Sequence, residues 1–356
     1  MPDPSRLPIT IASTATAVPP HILSRELVKE YFGRTFSLSG RRLEAVLEIV
    51  DNSKIERRYA IFPVDYLIEP RSLGKTNQEY REHAICLGRR AAEQALGRAG
   101  LGASDIDMIV TVSCTGFMIP SLDAYLAPEM GFRPNVRRLP ITELGCAAGA
   151  AGLTRAWDYV RAHPDANVLL IAVELPSLTF QRRDLSQANL ISTILFGDGA
   201  GAAVVTGRPA KGPRILDSES FLFPESIDAM GFDLRDTGFH IILSKEVPQL
   251  IRGRIGGLVD DFLSRNGIAR QDLHAFVLHP GGQKLLSYME EELGAAAWQV
   301  APSWEVLRDY GNLSSASVLF VLHEWLARGA IDSGALGLLA AFGPGFSSEM
   351  LLLQWT

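Results

Sequence analysis

Three residues that lie far apart in this chain have side chains that together could carry out acyl transfer. Cys146 lies where an apolar, strand-like run meets a helix start that is rich in small residues. At a helix N-terminus the first N–H groups are unpaired and the helix dipole is positive, and both favour the thiolate over the thiol. His279 follows a buried strand and precedes Pro-Gly-Gly, and Asn312 follows a glycine. The sequence thus offers a nucleophile, an imidazole and an amide.

A cysteine thiolate takes an acyl group from a thioester and forms an acyl-enzyme. His279 can pair with the thiolate, and the imidazole and the Asn312 amide can together stabilise an oxyanion or an enolate. A decarboxylative condensation with a malonyl thioester needs these parts and a dry pocket, whereas a thiol hydrolase uses the same residue types with a path for water. Taken singly, the three residues are also compatible with a structural cysteine, a core histidine and a helix N-cap.

Two sequence motifs recur and indicate that the chain is built from two similar halves. Residues 96–110 resemble residues 263–277 at an offset of 167, and Gly145-Cys146 aligns with Gly311-Asn312 at an offset of 166. We therefore predict halves spanning roughly 1–210 and 211–356. On this alignment Cys146 and Asn312 occupy equivalent helix starts, which converge if the halves face each other. His279 would then join them in one cleft.

Each half alternates apolar, strand-like runs with helical patterns. The runs at 107–113, 167–174, 200–206 and 335–342 are continuously apolar, as in strands that are covered on both faces. Helical patterns span 82–99, 147–162, 245–265 and 315–328. This alternation predicts an α/β fold with sheets buried between helix layers.

Composition excludes several classes of protein. The 356 residues carry a net charge of −6 with no Lys/Arg block, so nucleic acid is not expected as a partner. No run is long and apolar enough for a membrane span, and the N-terminus does not resemble a signal peptide. The three cysteines suggest a reducing cytoplasm rather than a disulfide framework, and no residues have metal-ligand spacing.

Five segments in this order and spacing resemble the type III polyketide synthases, which are chalcone synthase-like enzymes of the thiolase superfamily. They are Gly145-Cys-Ala-Ala-Gly, Leu195-Phe-Gly-Asp-Gly, His279-Pro-Gly-Gly, Tyr310-Gly-Asn-Leu-Ser-Ser and Phe342-Gly-Pro-Gly. The resemblance implies a thiolase-like, layered αβαβα fold and a homodimer. It also implies direct use of acyl-CoA and malonyl-CoA, with no cofactor, metal or carrier protein.

The resemblance also implies roles for particular residues. Cys146 matches the nucleophile, His279 and Asn312 match the decarboxylation pair, and Phe196 and Phe239 match two gatekeeper aromatics between the CoA tunnel and the pocket. Met118 and Ile119 match a loop that closes the partner's cavity. Further pocket positions are Cys114, Thr115, Ile119, Glu174, Pro176, Thr179, Ser314, Gly343 and Pro344. Candidate CoA-binding residues are Lys54, Arg57, Arg58, Gly281 and Gly282.

The segment that begins at Glu174 resembles bacterial alkylresorcinol and alkylpyrone synthases, which start from fatty acyl-CoA. Glu174 and Ser314, with Cys114, match a water network that favours aldol closure in resorcinol-forming relatives, and lactonisation to a pyrone stays equally open. Two alternatives remain: an initiating 3-ketoacyl carrier-protein synthase that makes one condensation, and a cysteine thioesterase.

Overall fold

A computed structural model of the chain describes residues 8–329 and 331–356. The strands are β1 Thr10–Ala17, β2 His21–Ser24, β3 Arg57–Ala60, β4 Met108–Val112, β5 Arg137–Ile141, β6 Asn167–Glu174, β7 Gly199–Thr206, β8 Arg214–Leu222, β9 Met230–Arg235, β10 Gly238–Leu243, β11 Leu273–Leu278, β12 Leu336–Gly343 and β13 Ser347–Gln354. The helices are α1 Arg25–Phe36, α2 Gly40–Asn52, α3 Val64–Leu67, α4 Leu73–Ala99, α5 Leu122–Met130, α6 Ala148–Ala162, α7 Gln187–Leu195, α8 Val247–Ile251, α9 Ile255–Arg265, α10 Gln283–Leu293, α11 Ala297–Tyr310 and α12 Ser317–Arg328.

Nine strands form one hydrogen-bonded sheet whose two ends have the same topology. The order is β11-β12-β13-β8-β1-β7-β6-β4-β5. In the first half β1 pairs antiparallel with β7, β7 antiparallel with β6, and β6 parallel with β4. In the second half β8, β13, β12 and β11 repeat this sequence of pairings. The sheet therefore carries the predicted repeat.

Helices cover the sheet in three layers. Along β4, Val110 packs into a core with α6 and α12, whereas its neighbour Ile109 packs into a core with α4 and α5. In the second half Val277 contacts the α6 and α12 core, and Phe276 packs with α9 and α10. Helices α6 and α12 thus lie between the two half-sheets, as the layered αβαβα prediction requires. The boundary between the halves at residue 210 remains a prediction.

The first repeated motif is visible as two matching turns. A short 3₁₀ turn precedes β4, and another precedes β11. In the first, the N–H of Gly102 donates to the Asp105 carboxylate at 2.8 Å; in the second, the N–H of Ala269 donates to Asp272 at the same distance. These turns keep the offset of 167.

The second repeated motif has a different register from the one that the sequence alignment predicts. Helices α6 and α12 each follow a 3₁₀ turn, Gly145–Ala147 in one half and Ser314–Ala316 in the other. Gly145 and Ser314 both have φ near 49°. Ser315 is therefore the structural counterpart of Cys146, and the predicted equivalence of Cys146 with Asn312 is wrong. The offset here is 169, because the second half carries two more residues between the motifs.

Small residues let the two central helices approach closely. A Cβ atom added to Gly149 of α6 would lie 2.1 Å from the carbonyl oxygen of Ser315. Real Cβ contacts are never this short, so the backbone of the second half occupies the space that a side chain at 149 would need. The two helix starts therefore lie directly against each other.

Within the described ranges, no helix is both long and apolar enough to cross a membrane, and no cluster of side chains could hold a metal ion. All three cysteines are free thiols.

Candidate active site

Cys146 lies in the turn that leads into α6 and is only 7% exposed. Its Sγ lies 3.4 Å from the Ser314 hydroxyl oxygen. Gly145 needs its positive φ, and a Cβ at this position would also lie 2.5 Å from the Pro344 ring. A Cβ on Gly343 would lie 2.4 Å from the carbonyl oxygen just before the turn. The Gly-Pro loop after β12 thus packs directly on the cysteine turn and fixes it.

His279 follows the end of β11 and is buried. Its backbone N–H donates to the Ala340 carbonyl of β12 at 2.9 Å, which fixes the backbone from which the ring projects. A Cβ added to Gly281 would contact the ring at 3.4 Å, so the glycine passes close beside the imidazole. The ring Nδ1 is buried without a hydrogen-bond partner.

Asn312 follows α11 and joins the loop of His279 to the loop of Ser314. Its Nδ2 donates to the Gly281 carbonyl at 3.3 Å, and its Oδ1 accepts from the Ser314 N–H at 2.8 Å. Because Gly281 also touches the imidazole, the amide and the ring lie side by side. The structure therefore brings Cys146, His279 and Asn312 to one place.

Burial governs the protonation of this group. It raises the pKa of the Cys146 thiol to about 12, against smaller lowering effects from Ser314, Asn312 and the cysteine's own backbone. The helix start does not outweigh desolvation, so the expected lowering of this pKa is wrong in direction. Burial also lowers the pKa of His279 to about 4. Each group is therefore neutral at pH 7 when it titrates by itself, and among the described residues no hydrogen bond joins the thiol to the imidazole.

A buried carboxylate lies next to the thiols. Glu174, at the end of β6, is fully buried, and burial raises its pKa. One oxygen accepts from the Thr115 hydroxyl at 2.7 Å and from the Cys114 N–H at 3.1 Å, and the other accepts from the Ser315 hydroxyl. Glu174 thus connects both halves of the fold. The Cys114 Sγ lies 3.4 Å from the Ser314 hydroxyl, which therefore stands between the two thiols.

The sequence prediction missed three members of this network. Ser315 holds Glu174, and Tyr80 donates to Ser113 at 2.7 Å, behind the same carboxylate. Ser315 could have been found from the repeat with the correct offset, since it is the counterpart of Cys146. Tyr80 and Ser113 carry no comparable signal, because a tyrosine in a long helix is usually a core residue.

The two candidate gatekeepers both face the cavity into which Cys146 opens. Phe196 is fixed next to Asn312 by backbone hydrogen bonds on either side, from the Asn312 N–H to the Leu195 carbonyl at 2.8 Å and from the Gly197 N–H to the Asn312 carbonyl at 3.0 Å. Phe239, in β10, packs edge-on against a phenylalanine of β9 with ring centroids 5.6 Å apart.

The cavity has a volume of about 660 Å³ and apolar side chains line most of it. Of the predicted pocket residues, the wall contains Cys114, Thr115, Pro176, Thr179, Ser314 and Pro344. The described lining does not include Glu174, His279, Asn312 or Gly343. Glu174 accepts from Thr115 and Asn312 accepts from Ser314, so these two lie next to the wall. Ile119 is 83% exposed on the loop before α5 and does not reach this cavity. Helix α1 also forms part of the wall, which the sequence prediction did not anticipate.

The predicted CoA-binding residues separate into three groups. Lys54 and Arg57 are exposed, and Arg57 forms an ion pair with Asp309 at 3.3 Å. Gly281 and Gly282 precede α10, beside the imidazole. Arg58 instead is buried.

The Arg58 guanidinium donates to the Thr193 and Phe196 carbonyls at 2.6 and 2.7 Å. Burial lowers the pKa of Arg58 to about 10, which leaves it charged at neutral pH. Its position contradicts the expected role in phosphate binding, because the guanidinium already holds the backbone that carries Phe196.

Comparison with known proteins gives consistent matches over almost the whole chain. Residues 4–209 match the family model "Chalcone and stilbene synthases, N-terminal domain", and residues 215–355 match the corresponding C-terminal domain. The chain is 36% identical to a 1,3,6,8-tetrahydroxynaphthalene synthase of Streptomyces peucetius, over 97% of this chain and 93% of the relative. It is 35% identical to a phloroglucinol synthase of Pseudomonas fluorescens, over 88% and 90% of the two chains.

Solved structures agree with the sequence matches. The crystal structure of 1,3,6,8-tetrahydroxynaphthalene synthase from Streptomyces coelicolor, described as a bacterial type III polyketide synthase, superimposes with a TM-score of 0.94 at 36% identity, covering 98% of this chain and 99% of that chain. The C-terminal type III polyketide synthase domain of a type I/III hybrid from Dictyostelium gives a TM-score of 0.90 at 27% identity, covering 98% and 99%. Both the predicted family and the predicted fold are confirmed.

Enzymes of this family are acyltransferases that form carbon–carbon bonds. They use CoA thioesters directly, without a cofactor, and condense malonyl-CoA repeatedly. With both family models matched and its fold shared with solved relatives, the chain belongs to the chalcone and stilbene synthase family and is a bacterial-type type III polyketide synthase.

Proposed function

We propose that this synthase loads a fatty acyl-CoA starter on Cys146, extends it with malonyl-CoA and releases an alkylpyrone or an alkylresorcinol. The observation that carries the proposal is the cavity beside the thiol. Its wall is largely apolar, and its only charged residues among those described are Arg58 and Glu143. An alkyl chain would bury apolar surface there at no cost in charge desolvation.

In the first step the Cys146 sulfur attacks the thioester carbonyl of the starter, and CoA leaves as the thiol. The proton of Cys146 passes first to His279, whose imidazole is neutral above pH 4, and then from the imidazolium to the departing CoA sulfur. Because both groups are buried, the resulting charges stabilise each other without screening by water. The product is an acyl thioester on Cys146.

In the second step malonyl-CoA loses CO₂, and its thioester oxygen becomes an enolate. His279 and Asn312 both lie next to Gly281 and can direct two N–H donors at that oxygen. Removing one such donor typically costs about 10²–10³ in rate. The enolate carbon then attacks the acyl thioester, which returns the extended chain to CoA and releases Cys146 as the thiolate. That thiolate can attack the next thioester or take up a proton from solvent.

Cyclisation would take place beside Glu174. Its carboxylate accepts from Thr115, Cys114 and Ser315, and Ser314 links Cys114 to Cys146. A water molecule activated by this network would support aldol closure to a resorcinol. If the network holds no such water, the enol oxygen of the chain closes on its own thioester and gives a pyrone.

We propose that CoA phosphates bind near Lys54 and Arg57, since both are exposed. A homodimer is proposed from the loop before α5, where Ile119 is 83% and Phe117 54% exposed. Large apolar side chains at such exposure are typical of a surface that another chain covers. A cytoplasmic location remains the expectation from the three free thiols.

The proposal is tested by mass spectrometry of the products formed from malonyl-CoA and acyl-CoAs of two to eighteen carbons, with Cys146→Ala as control. Triketide and tetraketide pyrones or resorcinols with a long-chain optimum would support it. A single β-keto product that requires carrier protein would indicate a 3-ketoacyl carrier-protein synthase, and free acid with no malonate consumed a thioesterase.

The names of the relatives favour a second candidate, in which the product is 1,3,6,8-tetrahydroxynaphthalene. The same assay without an added starter decides between the two, since only this candidate gives tetrahydroxynaphthalene from malonyl-CoA alone.

A further inference from the structure

We infer that helix α1 sets the length of the acyl starter that the enzyme accepts. This inference rests on the proposed function and names the part of the cavity that holds the distal end of the chain. Leu27, Val28, Tyr31, Phe32 and Phe36 of α1 all line the cavity that opens at Cys146. They fall into three groups, 27–28, 31–32 and 36, which recur about once per helical turn and therefore lie along one face of the helix.

The face of α1 that lines the cavity is held rigidly. Ser24 caps the helix by accepting from the Leu27 N–H at 3.2 Å. Phe32 and Phe36 pack against each other with ring centroids 4.9 Å apart, and Phe36 packs edge-on against Phe180 at 5.6 Å. Val28 is partly buried at the edge of this cluster. A wall built in this way has a fixed position and can measure length.

Polar groups of helix α7, which packs against α1, already have hydrogen-bond partners. On α7 the Asn189 amide donates to the Gln181 and Asp184 carbonyls at 2.8 and 2.7 Å. The hydroxyls of Ser192 and Thr193 donate to the Asn189 carbonyl at 3.1 and 2.8 Å. This wall therefore has little hydrogen bonding left to offer a polar ligand.

Charge leads to the same conclusion. Arg58 is the only cation in the described lining, and carbonyl oxygens already hold its guanidinium. Within the described lining, a CoA phosphate or a carboxylate would therefore find no unoccupied cation. The pantetheine arm carries two amides that need hydrogen bonds, and the α7 wall leaves them few. An alkyl chain is the part of the substrate that fits.

The test narrows the chamber at Val28, whose side chain stands at its wall. Val28→Trp fills space that terminal methylenes would occupy, and Val28→Ala enlarges it. Glu30→Trp is the matched control, because the Glu30 side chain is 63% exposed on the same helix. We would measure kcat/KM for acyl-CoAs of two to eighteen carbons, the KM for malonyl-CoA, and acylation of Cys146 by intact-protein mass spectrometry.

We expect Val28→Trp to shift the optimum to shorter starters and Val28→Ala to longer ones, with Glu30→Trp unchanged. Since each displaced methylene changes kcat/KM by roughly fourfold, excluding three of them lowers it by about fiftyfold or more for the longest starters. The KM for malonyl-CoA should not change.

Two results would overturn the inference. An equal loss at every chain length, with a raised KM for malonyl-CoA, would mean that α1 contacts the pantetheine arm. An unchanged length profile in both Val28 variants would mean that the chain lies elsewhere. If the wild-type enzyme neither loads nor extends a fatty acyl-CoA, the proposed function itself fails. Loading and extension by the wild type are therefore measured before any variant is compared.

Discussion

Asn312→Ala should separate the two half-reactions of this enzyme. The side chain supplies one of two proposed donors to the enolate, and its loss should lower malonyl-CoA decarboxylation by about 10²–10³. Acyl transfer to Cys146 should continue, because the proposed nucleophile and His279 remain. The variant also removes the acceptor of the Ser314 N–H, a bond of 2.8 Å in a buried site. Leaving that group unpaired should cost about 1–3 kcal/mol of unfolding free energy.

The assay therefore needs three readouts on the same protein. Acylation of Cys146 is followed by intact-protein mass spectrometry, decarboxylation by release of CO₂, and stability by urea unfolding. Ser317→Ala is the matched control, because the Ser317 hydroxyl also donates to the Asn312 side-chain Oδ1, at 3.4 Å, and accepts from the Leu313 N–H. Ser317→Ala should lose a comparable unfolding free energy but keep a decarboxylation rate within a few-fold of wild type.

A decarboxylation rate in Asn312→Ala within threefold of wild type would refute the assignment of the amide to the enolate. Equal losses of acylation and decarboxylation would assign Asn312 a structural role only. The same conclusion would follow if Ser317→Ala lost decarboxylation as severely, since that variant keeps the amide donor.

Three further predictions follow from the same contacts. Cys146→Ala should form no acyl-enzyme and no polyketide, and product at the wild-type level would exclude this thiol as the nucleophile. Burial lowers the pKa of His279 to about 4 from 6.5, so its unfolded form binds the extra proton between these values and stability falls as the pH drops through this window. Between pH 7 and pH 5 the unfolding free energy of His279→Gln should therefore fall by about 2 kcal/mol less than that of the wild type, as measured by urea unfolding. Parallel pH profiles for the two proteins would contradict this. Gly149→Ala should cost about 3 kcal/mol or more in unfolding free energy, because its Cβ meets the Ser315 backbone. Gly97→Ala is the control: its Cβ meets nothing within 4 Å, so it should be neutral or slightly stabilising. Similar unfolding midpoints for the two variants would contradict the packing described between α6 and α12.

Periodicity and the internal repeat were sufficient to predict the layered architecture. The apolar runs at 107–113 and 167–174 correspond to β4 and β6, since strands covered on both faces have to be apolar throughout. The helix predicted over 245–265 is wrong in its middle. Gly253 has φ of 75° there, and the segment forms α8 and α9 with a turn between them. A helical pattern of apolar residues persists through such a turn, so periodicity alone cannot detect it.

The candidate site was less accessible to sequence reasoning, because it depends on distances between segments. The residue types of Cys146, His279 and Asn312 indicated acyl transfer, but the repeat assigned the wrong counterpart to Cys146. Arg58 and Arg57 are adjacent and chemically alike, yet one is buried against carbonyl oxygens and the other is exposed. Which of two neighbouring arginines faces inward depends on strand register, which composition does not reveal.

The matching turns before α6 and α12 have the same backbone shape in the two halves but carry side chains with different roles. The same left-handed bend is made by Gly145 in one half and by Ser314 in the other, although a serine pays about 1 kcal/mol or more for that conformation. What the second half gains is a hydroxyl between two thiols, with Ser315 next to it holding Glu174. One copy of the bend thus presents the thiol proposed as the nucleophile, and the other supplies the side chains that surround that thiol.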